Sequence, residues 1–256
     1  MKAADILRRV EHRPYPLPSG PWIMRQTWLE LLFAHWPIST AVLRPLIPAS
    51  LELDTFDGTA WIGVVPFSMT DVRPRSLPAV PALSAFPELN VRIYVVVNGI
   101  PGVYFFSLDA GNAVAVALAR SIFHLPYFYA RMQSSRSGDT ISYISQRLHR
   151  GAPPADYRAR YRPVGPIVEA SPDSLEAWLT ERYALYTTAG SALYRGDIHH
   201  ARWPLQIAEA ETECNTMALS HGISLPDSPP LLHYAQRQDV LIWPLRRLIL
   251  VKKPSR

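Results

Sequence analysis

FPELNVRIYVVV (Phe86–Val97), then Asn98-Gly99, then VYFFSLD (Val103–Asp109) is the stretch on which the fold reading turns. Side chains of an extended chain alternate between two sides. Glu88, Asn90, Arg92 and Tyr94 therefore share one face, and Val91, Ile93, Val95 and Val97 share the other. Asn-Gly suits the positive-φ positions of a two-residue turn, so the two runs are predicted to be antiparallel neighbours. If the valine face packs into a core, the polar face meets either water or a pocket. A carboxylate and a guanidinium along one strand suit clamping a small polar molecule or setting each other's protonation. The plainer alternative, an ion pair on a solvated sheet face, is equally open at this stage.

Outward from this hairpin the chain keeps a strand-and-turn rhythm, punctuated by 25 prolines and 12 glycines. Thr59–Met69 follows Asp57-Gly58 and Ile141–His149 follows Ser137-Gly138. Further strands are expected near 187–195, 197–203, 211–219 and 232–243, and Arg158, Arg160 and Arg162 alternate like one face of a strand. Two helices are expected. Asn112–His124 has an asparagine N-cap and a row of small residues, Ala113, Ala115, Ala117 and Ala119, suited to tight burial on a sheet. Ser171–Tyr186 carries Leu175, Trp178, Leu179, Arg182, Tyr183 and Tyr186 on one stripe, for a helix packed on the outside. The fold class is α+β, mostly antiparallel β. A single domain is expected over 21–250, with an N-terminal extension (1–20) and a C-terminal tail (251–256).

A chain of 256 residues, 48% hydrophobic and 18% charged, can bury a sizeable core. Cys214 is its only cysteine, which excludes an internal disulfide and multi-cysteine metal motifs and suits a reducing, cytoplasmic setting. No apolar run reaches the roughly 18 residues of a membrane helix, and Met1–Gly20 lacks a signal-peptide core, so no membrane partner is expected. The net charge of +5 raises nucleic acid or an acidic small molecule as a partner. Its 26 basic residues, however, are mostly arginines spread along the chain, as on a solvated sheet edge, so nucleic acid is not expected. Self-association into a homo-oligomer is left open. Lys2, Lys252 and Lys253 are the only lysines, leaving the interior of the sequence without a primary amine.

Phosphate-binding, dinucleotide, serine-nucleophile and zincin motifs are absent. The histidines, His35, His124, His199 and His200 among them, show no metal-ligand spacing, so neither metal nor cofactor is expected. His35 and His200 are candidates to assist proton transfer. The aromatics, including Trp36, Trp61, Tyr127, Trp203 and Trp243, should mostly fill the core, with some left to line a pocket.

The segments LLFAHWPI, LRPLIP, DGTAWIGVVPF, ELNVR, GVYFFSLDA, ARSIFHLPY and IHHARWPL, in this order over about residues 28–205, resemble the YqjF-like family (domain of unknown function 2071). The resemblance implies the acetoacetate decarboxylase-like superfamily, whose fold is a closed β-barrel or cone with a few packed helices and an interior pocket. In acetoacetate decarboxylases a PYxE-like motif places a glutamate at the active site, and FPE puts Glu88 in the matching position. ARSIFHLPYF resembles the stretch GREIxGFPKK, so Tyr127 stands where the Schiff-base lysine would be and Phe128 where the second lysine would be. That departure agrees with the lysine count. Imine chemistry needs a desolvated amine, and only the chain ends carry one.

The expected function is a small-molecule enzyme of lyase type, decarboxylase- or dehydratase-like, using acid–base chemistry on an anionic or carbonyl-containing ligand without an imine. Glu88, Arg92, Tyr127 and His200 are the candidate catalytic residues. His35, Trp36, Asn90, Tyr94 and Trp61 are the candidates for substrate binding. The alternative is a non-catalytic barrel that binds a small ligand.

Overall fold

The computed structural model describes residues 1–249, the side chains of 81 and 82 excepted. The expected tail, 251–256 with Lys252 and Lys253, lies outside the described residues. In chain order the elements are α1 (Ala3–Arg8), β1 (Met24–Ile38), α2 (Thr40–Leu43), β2 (Glu52–Leu53), β3 (Ala60–Pro74), α3 (Pro81–Ser84), β4 (Phe86–Val97), β5 (Ile100–Ala110), α4 (Ala113–Phe123), β6 (Tyr127–Ser137), β7 (Thr140–Arg147), β8 (Asp156–Val168), α5 (Leu175–Thr180), β9 (Ala184–Ala189), β10 (Ala192–His199), β11 (Leu205–Asn215), β12 (Leu231–Ile242) and β13 (Arg246–Arg247). The result is a mostly antiparallel α+β fold with few helices. Only β5–β6 and β5–β9 pair in parallel among these strands.

The β4–β5 hairpin forms as its turn predicts, with Asn98 at φ 51° and Gly99 at φ 76°. From it two circuits of pairing return to their start. One runs β4-β5-β6-β7-β8-β11-β12-β1-β3 and back to β4. The other leaves β5 through β9 and β10 to β12, and returns through β1 and β3. The wall β1-β3-β4 belongs to both, so it is buried on both faces. On one face Leu32, Ala34, Ile62, Val64, Leu89, Val91, Ile93 and Val95 join tyrosines of β7 and β8 in the main core. On the other, Leu31, Phe33, Val65, Phe67 and Met69 face a second apolar compartment with Leu108, Tyr127 and Trp203.

Double burial explains what the period-two reading misses. In β1, Leu31 to Trp36 are consecutively buried, so no polar alternation marks the strand. β6 was also not expected, its outer half being exposed and polar. The expected strand at 187–195 is two strands, β9 and β10, separated by a turn at Gly190 (φ 57°). That at 197–203 ends at His199, and that at 211–219 is the later half of β11. The alternating arginines do lie on β8, where Arg162 meets Glu209 at 2.8 Å and Arg158 meets Glu213 at 3.5 Å on β11. This basic row is thus answered by an acidic one.

Both helix expectations need correction. α4 begins at its Asn112 cap, whose side chain accepts from the amides of Val114 and Ala115. Its alanine row does not bury against a sheet: Ala113 and Ala117 are exposed, Ala115 and Ala119 half-buried, and Val116 alone is buried. The expected helix 171–186 shrinks to α5, which starts at a Ser174 cap and ends at Thr180. Tyr183 to Thr188 are drawn instead toward β9 by pairing with β5 and β10, and a strand rich in Tyr and Thr suits that environment. Nor does α5 pack on the outside, because Ala177, Leu179 and Thr180 are buried. The N-terminal segment docks through Ile6 against Leu241 and Trp243. No described helix is long and apolar enough to cross a membrane.

One buried ion pair ties the first circuit together. Arg147 of β7 binds Asp109 of β5 at 2.6 Å, both side chains 1% exposed or less, with the guanidinium 4.3 Å over the Phe128 ring. Burial pushes the Asp109 carboxyl up, and Arg147 pulls it back. Asp109→Ala strands a cation in the interior, and a loss of about 3–5 kcal/mol is expected in urea unfolding. A loss below about 1 kcal/mol would show that the pair is dispensable.

Candidate active site

A cavity of about 380 Å³ occupies the compartment behind the shared wall, within the range of small-molecule pockets. Phe33, Phe67, Phe105, Leu108 and Trp203 are among its apolar lining, and Glu88, Asn90, Arg92, Tyr127, Thr180, Arg182 and His200 supply polar groups. A more open depression of about 470 Å³ beside α4, lined by Arg120, Tyr129, His149 and Arg150, receives none of the polar row of β4.

The strand alternation that sends Leu89, Val91 and Ile93 into the core aims Glu88, Asn90 and Arg92 at this cavity. Glu88 is 3% exposed. Tyr127, placed where α4 gives way to β6, donates its hydroxyl to Glu88 Oε2 at 2.8 Å. The backbone on each side is held: Arg120 donates to the Tyr127 carbonyl at 2.7 Å, and the Tyr143 hydroxyl to the Glu88 carbonyl at 2.7 Å. Burial drives the Glu88 pKa up to about 8 against the pull of the Tyr127 hydrogen bond, and the Asp109 charge adds to the rise. At neutral pH Glu88 is therefore mostly a neutral acid. Tyr127, its pKa raised by burial and by Glu88, remains a phenol and a donor.

Four residues along β4, roughly 13 Å in Cα travel, the lining changes character. Arg92 donates from Nη2 to the Leu179 carbonyl at 3.2 Å, while its Nε has no partner. Arg182 binds Asp54 at 2.5 Å, lies against the rings of Trp178 and Tyr94, and leaves Nη2 without a partner. Between the two ends Asn90, 5% exposed, has an unpartnered Oδ1. Asn90, Arg92 and Arg182 thus line the cavity while each keeps one buried polar atom without a partner.

Of the remaining candidates, all but His200 fall behind or away from the cavity lining. His35 lies within β1, fully buried, and its Nε2 meets the Tyr94 hydroxyl at 2.7 Å. Arg92 approaches the same hydroxyl at 3.5 Å, so His35 and Tyr94 back the arginine rather than line the cavity. Burial first, and the Arg92 charge second, hold His35 well below its ordinary pKa, as a neutral ring. Gly63 is required here: a Cβ would stand 2.9 Å from the His35 ring and 3.5 Å from Arg92 Cγ. Trp36 points from the opposite face of β1 into the main core, and Trp61 packs with the cluster of Tyr94, Val103 and Leu179. Neither lines the cavity. His200 does, but burial lowers its pKa to about 3 and its Nδ1 donates to the Ala201 carbonyl at 2.8 Å, making it a neutral wall group.

Arg182 is the functional candidate missed in the sequence. It was absorbed into an amphipathic stripe, where a lone arginine among Leu175, Trp178, Leu179, Tyr183 and Tyr186 was the available signal. Lys2 is the only lysine among the described residues, and no lysine lines the cavity. Among the described residues no three of His, Cys, Asp and Glu converge to hold a metal ion.

This arrangement of strands is that of the acetoacetate decarboxylase-like proteins. The acetoacetate decarboxylase of Legionella pneumophila subsp. pneumophila str. Philadelphia 1 is similar with a TM-score of 0.64 at 13% identity, over 96% of this chain and 95% of that one. The enduracididine biosynthesis enzyme MppR complexed with pyruvate is similar with a TM-score of 0.62 at 10% identity, over 93% of each chain. At these identities the likeness concerns the fold. In sequence, the chain is 54% identical over 242 residues to the uncharacterized protein YqjF of Bacillus subtilis (strain 168), covering 94% of this chain and 99% of that protein. The profile of the DUF2071 family, described as an uncharacterized conserved protein, matches residues 25–239, and the chain belongs to that family.

The Glu88 proton has a measurable cost. Its folded pKa of about 8 lies above the ordinary 4.5, so the folded state binds the extra proton between those values and stability is lost as pH rises through this window. Glu88→Gln keeps an acceptor for Tyr127 and removes the titration. The stability of the variant relative to the wild type is expected to grow from pH 5 to pH 9 by up to roughly 4–5 kcal/mol, read by denaturant unfolding at each pH. A pH-independent difference would rule out a raised Glu88 pKa.

Proposed function

We propose that this protein is a small-molecule enzyme of lyase type that moves a proton at the carbon next to a carbonyl group, without an imine. The observation that carries the reading is the buried Glu88 carboxyl, with a pKa of about 8 and a hydrogen bond from Tyr127, in the wall of an apolar cavity. A carboxyl titrating near neutrality exists in both forms there, so it can take a proton from carbon and return one. Removing that proton leaves an enolate. Its negative charge falls in the field of the Arg92 and Arg182 guanidinium groups of the same lining, where charge–charge attraction is little screened. Returning the proton to carbon completes an exchange; returning it to a β-hydroxyl as that group leaves the enolate as water would make a dehydration, and loss of CO₂ from a 3-oxo acid would generate the same enolate for protonated Glu88 to quench. Tyr127 holds Glu88 and donates a hydrogen bond, Asn90 offers a further contact, and His200 shapes the wall.

The two closed circuits of strand pairing support reading the sheet as a barrel or cone enclosing this pocket. In that reading the domain spans 21–250, and the small molecule is the principal partner. The free cysteine, Cys214, is compatible with a reducing, cytoplasmic setting.

A second reading, a non-catalytic barrel that holds an apolar ligand, is favoured by the phenylalanine and leucine lining between the two polar ends. Proton exchange separates the two. With 2-oxo acids and ketones in D₂O, followed by ¹H NMR, the wild type is expected to speed loss of the α-proton signal. Glu88→Gln should lower the rate at least about 100-fold and Arg92→Ala at least about 10-fold. With Glu88 as the base, the rate should rise with pH and level off above about 8. Binding without exchange in the wild type would leave the non-catalytic reading.

A further inference from the structure

The outer edge of α4 is apolar where a surface helix is ordinarily polar. Val114, Leu118 and Ile122 are 52%, 54% and 57% exposed. At a spacing of four residues they form one stripe, ~12 Å long from first to last. The three also belong to the lining of the cavity that holds Glu88, so the stripe continues the cavity wall. Across from it, the segment between β3 and β4 contributes Pro78, Val80 and Leu83 to the same lining, with Val80 51% and Leu83 41% exposed. An apolar trough therefore leads outward from the buried carboxyl. The one charged side chain on this bank of the lining, Arg73, is engaged by Asp71 at 2.7 Å and by the Leu77 carbonyl at 3.0 Å.

Burial grades along the same path, from Arg182 and Glu88 inside to the exposed edge of α4. The polar residues of the lining thus lie at the buried end, and apolar surface of acyl-chain dimensions lies at the open one. A compact substrate would fill only the inner part and leave this surface in water.

We infer that the substrate of this site is amphiphilic: a carbonyl or carboxyl head bound at Arg92 and Arg182, a reacting carbon beside Glu88, and an unbranched acyl tail lying between α4 and the 78–83 segment. This rests on the proposed function for the placement of the reacting carbon, but the tail site is testable by binding alone.

The probes are saturated straight-chain carboxylic acids of four to twelve carbons, titrated calorimetrically below their micelle concentrations. Affinity should rise about 3- to 4-fold per added methylene, as for a buried CH₂, until the trough is filled. Leu118→Glu and Ile122→Glu, both at exposed positions, should each reduce the increment to less than about 2-fold. Ile207→Glu, at an equally exposed apolar position on β11 outside the cavity lining, should keep it. Affinity independent of chain length, equal loss in Ile207→Glu, or no binding at any length would each overturn the tail site. If short oxo acids undergo Glu88-dependent exchange while chain length has no effect, the tail site falls and the proposed chemistry stands. If affinity climbs with length but no exchange occurs, the chemistry falls and the tail site stands.

Discussion

The structure depends on a wall that has no solvent side. β1, β3 and β4 belong to both circuits of pairing, so most side chains in their central portions enter either the main core or the second compartment. A polar row on such a strand cannot be left to water and must be neutral, paired, or available to a ligand. Each solution is present along β4. Glu88 holds a proton and accepts from Tyr127, Tyr94 meets His35, and Asn90 and Arg92 line a cavity while each keeps a buried atom without a partner.

The same enclosure sets the chemistry. Removing water raises the Glu88 carboxyl into the working range of a proton carrier, whereas burial lowers the Arg182 pKa, Asp54 raises it again, and the guanidinium keeps its charge. The cavity thus has a neutral acid near one end and fixed positive charge near the other, joined by aromatic and aliphatic wall. It shares its fold with acetoacetate decarboxylase, yet among the described residues no lysine lines it, and its fixed positive charge is that of guanidinium groups.

Elements remote from the cavity act through backbone placement. Tyr143 reaches from β7 across the main core to the carbonyls of Phe67 and Glu88, fixing where the carboxyl emerges. The Asp109–Arg147 pair anchors β5 against β7, and the Asp109 charge reaches Glu88 as one source of its raised pKa. Gly63 leaves the space that lets His35 stand behind Arg92. The core-facing and cavity-facing sides of the wall are therefore one mechanical unit.

Local rules sufficed for the β4–β5 hairpin, the Asn112 cap of α4, the mostly antiparallel pattern and the division of β4 into two chemical faces, because turn conformation, capping and side-chain alternation act over a few residues. The absence of lysine between Ala3 and Val251 was likewise legible, and the family resemblance singled out Glu88 and Tyr127, whose hydrogen bond appears only in the structure. Tertiary structure alone decided that Trp36 faces the core, that Arg182 leaves its apparent helix stripe to join Arg92, and that the alanine side of α4 is not its buried one. Those outcomes depend on which distant strand lies across from each residue, and whether a face is wet or enclosed is a property of the closed sheet rather than of any segment in it.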